Sequence, residues 1–161
     1  MVDAALYSSA KTGGSDEWRT SGDLYRRLHD EFDFQHDAAA SIDNALVSSF
    51  WTKEDNALKQ DWFSKKSVWC NPPYSQVASF VEKARSELDR ALEMQLKWTC
   101  VLLLPSRTDT RWFHNHLYRG QNEIIRGIEL RFLRGRLKFS GAANSAPFPS
   151  LVVVLRSCGG Y

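Results

Sequence analysis

A nearly continuous apolar run, "WTCVLLLP" at residues 98–105, constrains the fold more than any other stretch of the chain. A run of this kind is typical of a strand that is buried on both faces, as in a parallel sheet covered by helices. The segment "SLVVVLR" at residues 150–156 is rich in β-branched residues and predicts a second buried strand. Strands this apolar need helices on both sides, so the positions of the helices decide the fold class.

Apolar residues at helical spacing mark several segments around these strands. The predicted helices cover residues 21–32, 41–51, 75–97 and 110–120. Shorter strands are predicted for residues 67–70 and for a stretch that ends at Asp37, and a hairpin is predicted around Gly135. Strands that alternate with helices predict an α/β fold with a mostly parallel sheet, flanked by helices, and an antiparallel edge made by the closing strands.

The length of 161 residues suits one domain with a substantial core. Residues 1–16 are polar and predict a flexible lead-in, and residues 17–161 predict one compact domain without a separate target-recognition domain. The chain shows neither a signal-peptide pattern nor an apolar run of the ~20 residues that a membrane span needs. Cysteines 70, 100 and 158 match neither a zinc site nor a disulfide framework, which indicates a reducing cytoplasm.

Charge is divided unevenly between the two halves of the chain. Residues 1–80 hold 8 Lys and Arg against 12 Asp and Glu, a balance of −4, whereas residues 81–161 hold 13 against 7, a balance of +6. A basic region attracts phosphates and is consistent with a nucleic-acid partner, although a solvated basic face without a partner fits equally well. The candidate DNA contacts are Arg107, Arg111, Arg134, Arg136 and Lys138.

The segment "VWCNPPYS" at residues 68–75 carries the most specific chemistry. Pro72 and Pro73 cannot donate to a sheet ladder, so the strand must end there, and the stiffened turn leaves backbone carbonyls as acceptors. The Asn71 side chain and the Pro72 carbonyl can together accept both hydrogens of one amino group. Tyr74 can stack on a planar ring that bears this group. The segment therefore predicts a site for a planar, amino-bearing substrate, and a base in duplex DNA would have to be flipped out to reach it.

A second polar strand end is predicted at Asp37, which three alanines follow. In an open α/β sheet, ligands bind beyond the carboxyl ends of the strands, so Asp37 and Asn71 should open on the same edge. Small side chains allow a ligand to approach the backbone, alanine less well than glycine. A buried or turn-capping aspartate is the alternative interpretation of Asp37.

In this order, the segments of the chain resemble the phage-type DNA N-6-adenine methyltransferases, often called the phage Dam family. The resemblance runs from about Asp16 to Leu155, and its segments are "DEWRTSGDLYRRL", "FDFQHDAAASIDNAL", "DWFSKKSVWCNPPYS", "VLLLPSRTDTRWFH", "GRLKF" and "APFPSLVVVL". It implies a Rossmann-like methyltransferase fold, S-adenosylmethionine as the cofactor, and methylation of the N6 amino group of adenine in DNA, in the host cytoplasm if the gene is viral. No metal is implied, and the oligomeric state stays open.

The resemblance also assigns roles to residues of this chain. The catalytic motif would be Asn71, Pro72, Pro73 and Tyr74. The cofactor would be bound by Trp18, Thr20, Asp37, Ala38, Ser41 and Asn44. In two places the chain departs from the family pattern, because Ser21 stands where proline is usual after Thr20 and because "DAAAS" is not a glycine-rich turn.

Other functions remain open at this stage. The same four residues would serve a methyltransferase that acts on RNA or on a protein glutamine, and the basic second half favours a nucleic acid over a protein. A catalytically silent DNA-binding relative is a further alternative, which the atypical "DAAAS" turn favours and the intact Asn71–Tyr74 motif opposes. A nucleotide-binding dehydrogenase is disfavoured, since no Gly-x-Gly-x-x-Gly follows a predicted strand.

Overall fold

The computed structural model describes residues 20–120, 123–138 and 145–158. Within these residues, five strands form a mixed sheet and two short strands form a separate ribbon. The strands are β1 (His36–Asp37), β2 (Ser67–Cys70), β3 (Lys97–Pro105), β4 (Tyr118–Gly120), β5 (Glu123–Ile124), β6 (Ile128–Phe132) and β7 (Ser150–Cys158). The helices are α1 (Gly22–Phe32), α2 (Val77–Glu93) and α3 (Arg111–His116).

The main sheet has the strand order β1-β2-β3-β7-β6 and is only partly parallel. Strands β1, β2 and β3 run parallel, whereas β7 pairs antiparallel with β3 along its whole length and antiparallel with β6 on its other side. The α/β class is therefore confirmed, and the closing strands β6 and β7 pair antiparallel at one side of the sheet as predicted, but the sheet is only partly parallel where a mostly parallel one was predicted. An apolar run shows that a strand is buried on two faces and contains no information about strand direction.

Helices cover both faces of this sheet, as the apolar runs require. Along β3, Cys100, Leu102 and Leu104 face a core that includes α2, while Val101 and Leu103 face a second core that includes α1. The residues of β7 alternate between the same two cores. Burying large aliphatic side chains in this way contributes about 1.5–3 kcal/mol each, so the central strands anchor the fold.

Two segments predicted from apolar spacing have a different structure. The predicted helix at residues 41–51 is a series of turns, because side-chain oxygens bond to backbone N–H groups there and compete with helical bonding. The predicted hairpin around Gly135 is absent from the described residues, since β6 pairs with β7 and residues 133–138 are not strand. The apolar residues in this segment, Leu133 and Leu137, pack against the core on the α1 side and so anchor the loop rather than form a strand.

None of the helices among the described residues is both long enough and apolar enough to cross a membrane. The longest of them, α2, is amphipathic and buries one face against the sheet.

Candidate active site

The Asn71–Tyr74 segment forms a rigid corner between β2 and α2. Pro72 is buried, and Pro73 has φ −58° and ψ 138°. A 3-10 turn at Tyr74–Gln76 follows, in which the Gln76 N–H donates to the Pro73 carbonyl at 2.9 Å. Because proline fixes φ and lacks an N–H, this corner can hold its shape without a hydrogen-bond ladder.

The ends of β1 and β2 lie side by side, as the sequence predicts for Asp37 and Asn71. Asp37 pairs with Trp69 in the parallel register, and the Ala38 N–H donates to the Trp69 carbonyl at 2.9 Å. The two candidate strand ends therefore open on the same edge of the sheet.

Thr20 and Asn71 make contact across this edge. The Asn71 Nδ2 donates to the Thr20 Oγ1 at 3.3 Å, and Thr20 is buried. This bond links the segment before α1 to the β2 corner, although the two residues are far apart in the sequence. Trp18, the other residue predicted in that segment, lies outside the described residues.

The Asp37 carboxylate organises the turn that follows β1. Its Oδ1 accepts the Ala39 N–H at 3.1 Å, and its Oδ2 accepts the Leu46 N–H at 3.4 Å. Burial raises the pKa of Asp37 to about 6, and these two backbone N–H groups oppose the rise. Both carboxylate oxygens thus bond to the chain itself, as the turn-capping interpretation expects.

Ser41 and Asn44 form a side-chain-capped turn in the same loop. The Asn44 Oδ1 accepts the Ser41 N–H at 2.6 Å. Ala38 is buried, whereas Ser41 and Asn44 are partly exposed. Three of the residues predicted to bind a cofactor, Ala38, Ser41 and Asn44, therefore lie in the one loop that follows β1.

His36 supports the loop from β1. It is buried, its Nδ1 lies 2.7 Å from the Ser49 Oγ, and its ring packs edge-on against Trp51 with centroids 4.0 Å apart. Burial, together with the charge of Lys65, lowers the pKa of His36 to about 4. The ring is therefore neutral at neutral pH, which suits a packing role.

A pocket with a volume of about 270 Å³ opens beside Tyr74. The residues that line it come from the Tyr74–Gln76 turn, the start of α2, the loop after β3, α3 and the segment before β7. They include Tyr74, Ser75, Ala78, Arg107, Trp112 and Phe148. Tyr74 is half-buried, and burial raises the pKa of its hydroxyl, so Tyr74 is neutral in this site. Of the Asn71–Tyr74 corner, Tyr74 is the residue that lines this pocket, whose walls combine aromatic side chains with one arginine.

Phe148 is a pocket residue that the sequence analysis missed. Its ring meets that of Tyr74 edge-to-face, with centroids 4.8 Å apart and an interplanar angle of 87°. The available signal was its place in "APFPS", where prolines on both sides restrict the backbone of an aromatic residue, much as in the Asn71–Tyr74 segment.

The five predicted DNA contacts are all exposed, but they differ in position. Arg107 lines the pocket, whereas Arg111, at the start of α3, is not among the lining residues. Arg134 and Lys138 lie in the loop after β6. Arg136 donates from Nη1 to the carbonyls of Ala146 and Pro147. A DNA contact stays a prediction for each of these residues.

The loop after β1 has features that fit S-adenosylmethionine. Small side chains stand at residues 38–40, whose N–H groups bond to the Trp69 carbonyl, Asp37 Oδ1 and the Trp51 carbonyl in turn. The Thr20–Asn71 bond brings two further polar residues to the same edge. Ser41 and Asn44 offer polar groups at the loop's partly exposed end. Among the described residues, no group of three or more His, Cys, Asp or Glu side chains could hold a metal ion.

Comparison with known proteins identifies a family and two relatives. The family model described as DNA N-6-adenine-methyltransferase (Dam) matches residues 7–158. The DNA N-6-adenine-methyltransferase of Escherichia phage T1 is 34% identical over 99 residues, which cover 61% of this chain and 39% of the relative. The DNA N-6-adenine-methyltransferase of Haemophilus phage HP1 is 32% identical over 120 residues, which cover 73% of this chain and 65% of the relative. The match thus spans less than two thirds of the length of either relative.

Proposed function

The chain belongs to the Dam family of DNA N-6-adenine-methyltransferases, and on that premise we propose that it methylates the exocyclic N6 of adenine in DNA with S-adenosylmethionine as the donor. The observation that carries the proposal is the rigid Asn71–Tyr74 corner, whose Tyr74 lines a pocket and whose Asn71 directly follows the strand that pairs with β1. One side of the corner would receive the base, and the other side would receive the cofactor.

The corner would activate the amino group with two oxygens. The Asn71 side chain and the Pro72 carbonyl accept the two N6 hydrogens, which draws the nitrogen lone pair out of conjugation with the ring. Because the prolines fix the backbone before substrate arrives, little reorganisation opposes this contact. The amine needs no general base before it reacts, since it can lose a proton to solvent after the methyl group arrives.

The pocket beside Tyr74 would hold the extruded base. A base inside duplex DNA cannot reach the corner, so the nucleotide must leave the stack and enter a protein pocket, at a cost of a few kcal/mol. The aromatic rings of Tyr74, Trp112 and Phe148 can offset part of this cost by contacting the planar ring. Arg107 at the same pocket is suited to contact a neighbouring phosphate.

The loop after β1 would hold the cofactor through Ala38, Ser41 and Asn44, with Thr20 and Trp18 on the side that precedes α1. When bound, S-adenosylmethionine supplies an electrophilic methyl group on a sulfonium. The role of Asp37 in this proposal is to shape the loop, since Ala39 and Leu46 occupy its carboxylate oxygens. The work of the chain is therefore positioning and electrostatic stabilisation.

Methyl transfer from labelled S-adenosylmethionine to DNA, RNA and protein tests this function directly. We expect labelled N6-methyladenine in DNA. Asn71→Ala should lower the rate by about 10²–10³-fold, the typical cost of removing one group that stabilises a transition state. Calorimetry should show that the variant still binds the cofactor.

Asn115→Ala is a matched control, because Asn115 is exposed on α3 and does not line the pocket. It should methylate DNA at the wild-type rate. Preferential labelling of RNA or protein, or a wild-type rate for Asn71→Ala, would refute the proposed function.

A further inference from the structure

The segment Ala146–Pro149 places one aromatic ring against the Asn71–Tyr74 corner. Phe148 is half-buried, lines the pocket beside Tyr74 and makes the edge-to-face contact with it. An aromatic pair of this geometry contributes about 0.5–1.5 kcal/mol beyond the burial of its area. The position of Phe148 therefore sets the width of the pocket at the point where a planar ring would meet Tyr74.

Prolines on both sides of Phe148 limit how this segment can be held. Pro147 and Pro149 have no N–H to donate, so their carbonyls are the backbone groups available for anchoring. The Pro149 carbonyl accepts the Ser106 N–H at 2.8 Å, which ties one end of the segment to the loop after β3. The other end needs a donor from elsewhere in the chain.

Arg136 supplies that donor. Its Nη1 donates to the Pro147 carbonyl and also lies 3.4 Å from the Ala146 carbonyl. The Ala146 N–H in turn donates to the Leu137 carbonyl at 2.8 Å, so the backbone beside Arg136 is paired with the same segment. A charged guanidinium donor makes a stronger hydrogen bond to a carbonyl than a neutral donor does.

We infer that Arg136 is a positioning residue, which holds Phe148 against Tyr74 as the second wall of the acceptor pocket. The inference rests on the proposed function, because it assigns Phe148 to the pocket that would hold the base. It also separates Arg136 from the nearby Arg134, which carries the same charge in the same loop. If both arginines served only to attract DNA, their substitutions would have the same effect.

Fluorine NMR of 4-fluorophenylalanine placed at position 148 tests the positioning itself. Tyr74→Ala gives the reference shift for a Phe148 ring without its partner. We expect Arg136→Gln to move the resonance towards this reference, while Arg134→Gln leaves it at the wild-type shift. An unchanged resonance in Arg136→Gln would overturn the inference whether or not the chain methylates DNA.

Methylation kinetics test the consequence for the pocket. We expect Arg136→Gln to lower kcat at saturating DNA by about tenfold, because misplacing a positioning group costs rate after binding is complete. Arg134→Gln should raise KM for DNA and leave kcat intact, and Arg136→Lys should recover part of the lost kcat. Thermal unfolding of each variant is the control that tests whether the substituted chain is folded.

The outcomes distinguish the two proposals. Equal effects of Arg136→Gln and Arg134→Gln, confined to KM, would make Arg136 a charge contact and overturn the inference. A wild-type chain that methylates no DNA would refute the proposed function, and the fluorine resonance would still decide whether Arg136 positions Phe148.

Discussion

At the scale of single residues, Asp37 shows how burial sets the hydrogen bonds and the pKa of a carboxyl group. Its carboxylate bonds to the Ala39 and Leu46 N–H groups and so fixes the loop in which Ser41 and Asn44 lie. Burial nevertheless penalises the charged form and raises the pKa to about 6, from an ordinary value of 3.8. Holding the loop therefore costs stability when the group is ionised.

The raised pKa of Asp37 predicts a pH-dependent stability. The folded state binds the Asp37 proton more tightly than the unfolded state does, so protonation of Asp37 raises the free energy of unfolding. This contribution is complete below the unfolded pKa of 3.8 and is lost as the pH rises through about 6. A difference of about two pKa units corresponds to about 3 kcal/mol. Asn at this position cannot titrate, so the stability of the wild type relative to Asp37→Asn should fall by about this amount from pH 4 to pH 7.

Urea unfolding of both proteins at several pH values measures this difference. Asp37→Asn also points an amide N–H₂ at one of the two backbone donors, but that cost does not vary with pH. A difference in unfolding free energy that stays constant across the range would contradict the raised pKa.

Single residues also show what sequence patterns can and cannot give. The Asn71–Tyr74 corner was predictable because two prolines dictate the backbone locally, whatever the rest of the chain does. The bond between Arg136 and the Pro147 carbonyl was not predictable, because exposed arginines in a basic segment look alike until the backbone brings an acceptor near one of them. The charge pattern thus indicated an exposed basic segment but not the hydrogen bond that distinguishes Arg136 from the other arginines in it.

At the scale of elements, the entry to β6 depends on close backbone packing at Gly127. This residue has φ +80°, and an added Cβ would lie 3.0 Å from the Arg156 carbonyl oxygen and 3.3 Å from the Leu88 methyl carbons. Gly127 also accepts the Arg156 N–H at 2.7 Å, so the backbone cannot move away without losing a bond. Only glycine meets both conditions without strain.

The chain offers a matched pair of glycines for testing this packing. Gly135 has φ +77°, but nothing lies within 4 Å of a Cβ built there. Gly135→Ala should therefore cost about 1–2 kcal/mol from the left-handed backbone alone. Gly127→Ala should cost a further 1–3 kcal/mol or so from overpacking. Denaturant unfolding measures the loss of stability in each variant. Equal losses in the two variants would show that the Arg156 backbone and the Leu88 side chain move away from an added Cβ at position 127 without cost.

The elements that the sequence predicted well are those whose own residues decide their structure. The apolar runs at residues 98–105 and 150–156 became β3 and β7, and the helix predicted at residues 75–97 became the shorter α2, Val77–Glu93. The turns at residues 41–51 depend on side-chain bonds that apolar spacing does not record, and the direction of β7 depends on partners distant in the sequence. Local periodicity does not encode these long-range partners, so the sheet is less parallel than expected.

At the scale of the whole molecule, the charge balance of −4 in residues 1–80 and +6 in residues 81–161 predicts salt-dependent binding of DNA. Arg107→Gln should lower DNA affinity and reduce the slope of log K against log salt by about 0.9, the value for one lost phosphate contact. Fluorescence anisotropy with a labelled duplex at several salt concentrations measures this slope.

Arg26→Gln is the control for Arg107→Gln. Arg26 lies on the exposed face of α1, pairs with Asp23 at 3.2 Å and does not line the pocket. Arg26→Gln removes the same charge away from the pocket, so its slope of log K against log salt should match that of the wild type. If both variants lost equal affinity, net charge rather than a contact at the pocket would control binding.

The antiparallel direction of β7 determines where the ends of β3, β6 and β7 meet. The end of β3 at Pro105 lies opposite the start of β7 at Ser150, and the end of β6 at Phe132 lies opposite Leu151. The residues that directly follow β6 and those that directly precede β7 therefore lie at the rim that carries Asn71. A change of sequence next to these two strand ends would therefore alter the surface beside Asn71, while the pairing of β3, β7 and β6 could keep its register.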